Sequence, residues 1–165
     1  MVQNVILNQV QIEYKIRRIA YQIYETFSQE KEVVIAGING NGYVLAQKIA
    51  KVLADISPLR VVLSEVIIDK KNTMNQVFTS INSDEYINKS VVIVDDVLHS
   101  GNTLVYGVKH FLEVPLKKLK TAVLIDRNHK RFPIKVDFKG LSLSTSLNEH
   151  VTVSFDEGSC CVYLS

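Results

Sequence analysis

Asp95 and Asp96 stand side by side at the end of an unbroken apolar run, Val91-Val92-Ile93-Val94, and soon afterwards the chain reads Ser100-Gly101-Asn102-Thr103. That second stretch offers two hydroxyls, a carboxamide and a glycine where a helical pattern begins (Leu104, Val105, Val108, Phe111, Leu112). A glycine lets the backbone come close to a ligand, and the free N–H groups and dipole of a helix start attract anions. The set fits a phosphate monoester. The paired aspartates cannot hold phosphate, because like charges repel. Carboxylates beside a phosphate pocket suit sugar hydroxyls, or a Mg²⁺ bridging the two groups. One ligand meets both demands: a phosphorylated sugar. A second glycine-rich loop, Gly37-Ile38-Asn39-Gly40-Asn41-Gly42, has the same setting between an apolar run and a helical pattern. Alone it would be read as a tight turn. Paired with the first loop it becomes a second anion cradle.

The elements that must hold these loops are visible in the apolar spacing. Ile12, Ile16, Ile19, Ile23 and Phe27 form one stripe of a helix. Val33 to Ala36 is a short buried strand, and Val44, Leu45, Ile49, Val52 and Leu53 predict a helix that stops between Asp55 and Pro58. Val61 to Ile68 is the next apolar run, and the polar stretch from Asp69 to Lys89 reads as a loop or weak flap. Val91 to Val94 has the continuous apolar character of a strand covered on both faces. Thr121 to Ile125 is another strand, and the alternation over Val151 to Phe155 suits a half-exposed antiparallel one. Strands alternating with helices predict an α/β fold, doubly wound about a mostly parallel sheet, as one domain over residues 1–165. In such sheets ligands bind outside the carboxyl ends of the strands, where both loops lie.

Composition excludes several classes. With 47% hydrophobic and 22% charged residues among 165, the chain is not disordered. No apolar run approaches the roughly 18 residues that span a bilayer, and the first residues lack a signal-peptide pattern, so a cytoplasmic protein without membrane contact is expected. Cys160 and Cys161 are adjacent, a spacing that suits neither a routine disulfide nor a zinc site, and His110, His129 and His150 show no metal-ligand spacing. No residue is directly assigned to a metal. The net charge is +2, yet the stretch from Lys109 to Lys139 carries nine basic residues against three acids. A local basic field favours phosphate-bearing ligands, small or nucleic acid.

The run from Val91 to Thr103 resembles the signature of type I phosphoribosyltransferases: four apolar residues, two acids, two apolar residues and a Thr-Gly-x-Thr-like turn. Ala122 to Ile134, with Asp137-Phe138-Lys139-Gly140, resembles the PyrR group, bacterial uracil phosphoribosyltransferases that also regulate pyrimidine operons by binding RNA. Arg17 to Ala20 and Gly37 to Tyr43 match that group in position, so the resemblance covers nearly the whole chain. It implies the type I phosphoribosyltransferase fold with a small hood, and a pentosyltransferase that binds phosphoribosyl pyrophosphate and a nucleobase. It implies roles too. Asp95 and Asp96 are catalytic; Leu98, His99, Ser100, Gly101, Asn102 and Thr103 take the 5-phosphate; Gly37, Ile38, Asn39, Gly40, Asn41 and Gly42 take the pyrophosphate. Arg127 and Phe138 face the base, Mg²⁺ arrives with the diphosphate, and the chain forms a homodimer or homotetramer.

The chain departs from that pattern. Relatives carry lysine and arginine where the pyrophosphate loop here has Asn39 and Asn41, and a cation in the phosphate turn where Asn102 stands. Charge-assisted hydrogen bonds are about twice as strong as neutral ones, so weaker diphosphate binding is expected. Lys70 and Lys71 are the nearby cations available to compensate. Purine-type relatives often have aspartate at the place of His99, which here either contacts a pyrimidine or covers the site. Three readings stay open: transfer to uracil giving UMP, a nucleotide-sensing RNA-binding regulator with weakened catalysis, and a purine-type transferase.

Overall fold

The computed structural model describes residues 4–146 and 148–165. Its centre is a six-stranded sheet. The strands in chain order are β2 (Glu32–Ile38), β3 (Arg60–Ile67), β4 (Phe78–Thr79), β5 (Ser90–Leu98), β6 (Lys118–Asp126) and β7 (Phe138–Ser142). They lie in the order β4-β3-β2-β5-β6-β7, all parallel except β4, which runs antiparallel to β3. A separate three-stranded antiparallel sheet joins the chain ends as β1 (Asn4–Leu7), β9 (Cys161–Leu164) and β8 (Val151–Ser154). This is the expected hood.

Alternation along the central strands explains why helices cover both faces. Ile35, Val92, Val94 and Leu124 point to one side, where they meet Ile12, Ile16 and Ile19 of α1 (Gln9–Thr26) and Leu45 and Ile49 of α2 (Asn41–Ile56). Val34, Ala36, Val91, Ile93 and Val123 point to the other, against Leu104 and Phe111 of α3 (Asn102–Phe111). A strand buried on both faces cannot afford polar residues in its middle, and β5 has none between Val91 and Val94. The α1 start is fixed by a capping box, in which Asn8 and Gln11 each accept from the other's backbone N–H at 2.9 Å.

The apolar pattern alone misses β1, β7 and β9, which are short edge or hood strands. The Asp69–Lys89 stretch is more ordered than a plain loop. It contributes β4, a 3-10 turn at Ser83–Glu85, and two buried side chains, Thr73 and Tyr86. The ring of Tyr86 meets Phe111 edge-on at 4.9 Å, so a single aromatic anchors the segment beneath α3.

The order of the strands sets the site. From β2 the chain crosses through α2 to β3 on one side; from β5 it crosses through α3 to β6 on the other. The winding reverses between neighbouring strands β2 and β5, and a crevice opens there at their carboxyl ends. Both glycine-rich loops leave these two strands.

Candidate active site

Each loop ends in a glycine that caps the next helix with a backbone turn open to few other residues. Gly40 caps α2 at φ 84°, and Gly101 caps α3 at φ 86°, both in the left-handed region. Neither glycine cap has a side chain to accept from the first turn; at α3 the Asn102 N–H donates instead to the Ser100 hydroxyl at 3.2 Å. Gly42 brings the two loops together. A Cβ there would lie 2.8 Å from Oδ1 of Asp95 and 3.1 Å from the Val94 carbonyl oxygen. The first turn of α2 therefore rests directly on the end of β5.

A cavity of about 260 Å³ lies beside that junction, lined by Lys70, Asp95, Asp96 and the whole turn from Val97 to Leu104; residues 37–42 do not line it and reach the site only through the contact of Gly42 with Asp95. Ten consecutive residues of one strand-turn-helix thus meet one cation from the flap. Leu98 takes part by its backbone, since its side chain is buried in the core and its carbonyl accepts from the Arg127 N–H at 3.2 Å. Ile38 is likewise wholly buried and offers only backbone. The turn is braced from behind: the Ser100 carbonyl accepts from the N–H groups of Arg131 and Phe132 at 2.8 and 3.1 Å.

The two aspartates differ sharply. Asp95 is buried, and desolvation together with the neighbouring Asp96 charge pushes its carboxyl up to about 8, with Lys70 pulling in the opposite direction. Asp96 is half-buried; its Oδ1 accepts from the Val97 N–H at 2.9 Å. Asp95 is thus a carboxyl poised between neutral and charged forms at neutral pH, suited to hydrogen-bond hydroxyls as donor or acceptor. Among the described residues no group of three or more His, Cys, Asp or Glu side chains is arranged to hold a metal ion. Two adjacent carboxyls beside an open crevice fit a Mg²⁺ brought in by a phosphate-bearing ligand, since oxygen donors are what that ion takes, and Asp95 and Asp96 are the residues that would hold it.

The three asparagines that replace expected cations are all tied to the protein. Asn39 accepts the Ile68 N–H on its Oδ1 at 3.1 Å, which fixes the root of the flap. Asn41 donates its Nδ2 to the Val153 carbonyl at 2.8 Å, joining the loop to the hood. Asn102 donates to the buried Thr73 hydroxyl at 3.0 Å, joining the phosphate turn to the flap. Lys70 reaches the cavity and Lys71 does not line it. Compensation for the lost cations therefore falls to Lys70.

Two base-side expectations need correction. Phe138 opens β7 opposite Ala122, four residues before the carboxyl end of β6, and is buried in the core on the α1 face. It is a core residue that does not line the crevice. Arg127 is also buried, and its guanidinium is nearly consumed. Nε and Nη2 donate to the Thr145 hydroxyl at 3.0 and 2.9 Å, Nη2 donates to the Glu149 carbonyl at 2.6 Å, and Nη1 meets His99 Nδ1 at 3.0 Å. It positions His99, Thr145, Ser146 and Glu149 in place of touching a base. Thr145 was invisible as a site residue in the sequence; its only signal is a basic residue, Arg127, with no acid spaced to pair with it.

The basic stretch is partly neutralised. Lys117 and Lys118 approach Glu30, Lys120 approaches Asp137, and Lys139 approaches Asp126. Lys130, Arg131 and Lys135 remain exposed, and of these Arg131 adjoins the phosphate turn through its N–H to the Ser100 carbonyl.

The phosphoribosyl transferase domain family matches residues 2–157. A bifunctional protein PyrR of Macrococcus caseolyticus is 31% identical over 166 residues, spanning 95% of this chain and 94% of its own. A PyrR of Fusobacterium nucleatum is 32% identical, spanning 93% and 91%. Among solved structures, a hypoxanthine-guanine phosphoribosyltransferase of Bacillus anthracis superposes with a TM-score of 0.78 at 17% identity, covering 99% of this chain and 98% of that one. A hypoxanthine phosphoribosyltransferase of Staphylococcus aureus gives 0.79 at 17%, covering 97% and 90%. Those structures share the fold with this chain. No helix among the described residues is long and apolar enough to cross a membrane.

Proposed function

Because this chain belongs to the phosphoribosyl transferase family, and within it to the PyrR group, we propose that it transfers ribose 5-phosphate from phosphoribosyl pyrophosphate to uracil, giving UMP and pyrophosphate. The observation that carries this reading is the convergence of two glycine-capped helix starts, from adjacent strands, on the Asp95–Asp96 pair.

In this reading Ser100, Gly101, Asn102 and Thr103 hold the 5-phosphate through hydroxyls and backbone N–H groups at the start of α3, the Asn102 carboxamide being tied to Thr73. Asp95 and Asp96 hold the ribose hydroxyls. Their partial negative charge lies beside the carbon that becomes cationic as the bond to pyrophosphate stretches, and stabilises it. The base nitrogen bonds to C1 as the C1–oxygen bond breaks, the electron pair leaves with pyrophosphate, and the proton of the base nitrogen passes to the departing pyrophosphate or to water. In the pyrophosphate loop Gly37 and Ile38 belong to β2, and the Asn39 N–H donates to the Val66 carbonyl at 2.8 Å. The backbone N–H groups left to receive that charge are those of Gly40, Asn41 and Gly42, with Lys70 as the side-chain cation on the neighbouring cavity wall. Asp95 and Asp96 are the residues that would hold a Mg²⁺ arriving with the diphosphate, and when bound it would add charge neutralisation of the leaving group.

Incubation with Mg²⁺, phosphoribosyl pyrophosphate and a panel of uracil, hypoxanthine, guanine and adenine, followed by mass, tests this directly. UMP alone is the expected product. A purine nucleotide in its place would move the chain to the hypoxanthine class.

A second reading has its own observation. Asn39, Asn41 and Asn102 are neutral and bonded to protein, which supports a chain that holds UMP better than it turns over the diphosphate. We propose in that case a nucleotide-responsive RNA-binding regulator, using the exposed Lys130, Arg131 and Lys135. UMP raising the melting temperature without product formation, with RNA binding that responds to UMP and weakens with salt, would favour it. A homodimer or homotetramer belongs to both readings and is checked by sedimentation.

A further inference from the structure

His99 is the side chain of the phosphate-turn wall that neither the phosphate nor the ribose needs. It lines the cavity beyond Asp96, exposed on one side. Its Nδ1 lies 3.0 Å from Nη1 of Arg127. A guanidinium has only donors and does not deprotonate in proteins, so Nδ1 must be the acceptor and the ring proton sits on Nε2. Arg127 cannot swing away to release this choice. It is buried, with its remaining donors on the Thr145 hydroxyl and the Ser146 and Glu149 carbonyls.

The surroundings oppose a second proton. Partial desolvation of the ring and the Arg127 charge hold the His99 pKa below the ordinary histidine range; His150 and Lys70 act in the same sense, and Asp96 acts against them. With Nδ1 engaged and Nε2 carrying hydrogen, the imidazole has no free lone pair. It is a fixed donor, unable to accept a proton from an attacking base.

We propose that His99, held as the Nε2–H form by Arg127, is a specificity-determining residue that donates a hydrogen bond to the ring carbonyl by which uracil differs from cytosine. The inference rests on the phosphoribosyl reading of the site, which places the ribose on Asp95 and Asp96 and the base beyond it. A donor facing a carbonyl is satisfied; the same donor facing the amino group of cytosine leaves two donors opposed, and a desolvated polar group without a partner is costly. Arg127 acts through His99 and is a positioning residue.

The test is calorimetric binding of ribose 5-phosphate, UMP and CMP to the full chain and to His99→Phe and His99→Gln. Wild type is expected to prefer UMP to CMP by about tenfold or more. His99→Phe should erase that preference, lowering UMP affinity by about threefold to tenfold more than it lowers ribose 5-phosphate affinity. His99→Gln, which restores a donor, should recover part of the preference. In wild type, ¹⁵N spectra should show His99 with Nε2 protonated and Nδ1 bare at a pH of about 6.5, where a free histidine is half charged. Unchanged UMP-over-CMP preference in His99→Phe, or a charged or Nδ1–H ring, overturns the proposal. Failure of wild type to bind ribose 5-phosphate at all would instead sink the phosphoribosyl reading, and this inference with it.

Discussion

The Asn102 carboxamide donates to the Thr73 hydroxyl across 3.0 Å, joining the phosphate turn to a flap 29 residues earlier in the chain. Thr73 is buried, so the pair is shielded from water, and a neutral bond there contributes about 1 kcal/mol. Asp69 stiffens the same segment by accepting the N–H groups of Lys71 and Asn72 at 2.9 and 3.2 Å and the Asn75 side chain at 2.9 Å. Thr73→Val removes the hydroxyl and keeps the shape. It is expected to cost about 1 kcal/mol in urea unfolding and to speed amide exchange over residues 69–77. Unchanged exchange in that window would show that the bond does not hold the flap.

Lys70 is the only side-chain cation on the cavity wall among the described residues. With Asn39, Asn41 and Asn102 spent on tethers, a diphosphate has no other lysine or arginine there to meet. Lys70→Ala is expected to weaken phosphoribosyl pyrophosphate binding by about tenfold and to flatten its salt dependence. Lys71→Ala, outside the cavity, provides the comparison. Equal losses in the two variants would mean that a diffuse field, and no specific contact, supplies the charge.

The crevice and its loops were legible because backbone carries most of the function. An apolar run ending in two acids and a glycine turn fixes strand, carboxyls and helix start together, and the structure places Asp95, Asp96 and residues 98–103 around one cavity. What sequence could not show depends on side chains meeting across the fold. Phe138 looked like a base-side aromatic, but the register of β7 against Ala122 sends it into the core. Arg127 looked like a base contact, but Thr145 and His99, 18 and 28 residues away, absorb its donors. The asparagines read as losses of charge, and only their partners reveal them as tethers. The hood strands β1 and β9 have four residues each, too few for alternation to stand out from noise.

Gly42 is the point where the two loops touch. Gly42→Ala would place a methyl 2.8 Å from Asp95 Oδ1 and 3.1 Å from both the Asp95 Cα and the Val94 carbonyl. The obstruction is mostly backbone, so α2 must lift away from β5. A loss of about 1–3 kcal/mol in unfolding free energy is expected, with transfer activity falling more than stability requires. Gly40→Ala has open space around the new methyl but a φ of +84°, so its cost is conformational and about 1 kcal/mol. If Gly42→Ala were the milder of the two, close approach would not be what that position demands.

Asp95 makes stability depend on pH in a direction opposite to a surface carboxylate. In the unfolded chain its carboxyl titrates near the ordinary 3.8; in the folded chain burial and Asp96 hold it up to about 8. Between those values the folded state keeps a proton that the unfolded state has released. Stability from this group is therefore full below the lower value, falls as pH rises through the window, and levels off above the upper one. Asp95→Asn stays neutral at every pH and should lack that slope. In thermal melts at several pH values, the variant is expected to gain on wild type steadily from acid to alkaline conditions and to exceed it by several degrees above pH about 8. Its transfer activity should drop by about a hundredfold, since a carboxamide cannot offer charge to the cationic sugar. Titratable groups remote from Asp95 contribute equally to both proteins and cancel in the difference, whereas the neighbouring Asp96 is coupled to Asp95 and belongs to the measured effect. Parallel stability curves for the two would show that Asp95 titrates in the folded chain as it does in the unfolded one, and at neutral pH the ribose would then meet a charged Asp95.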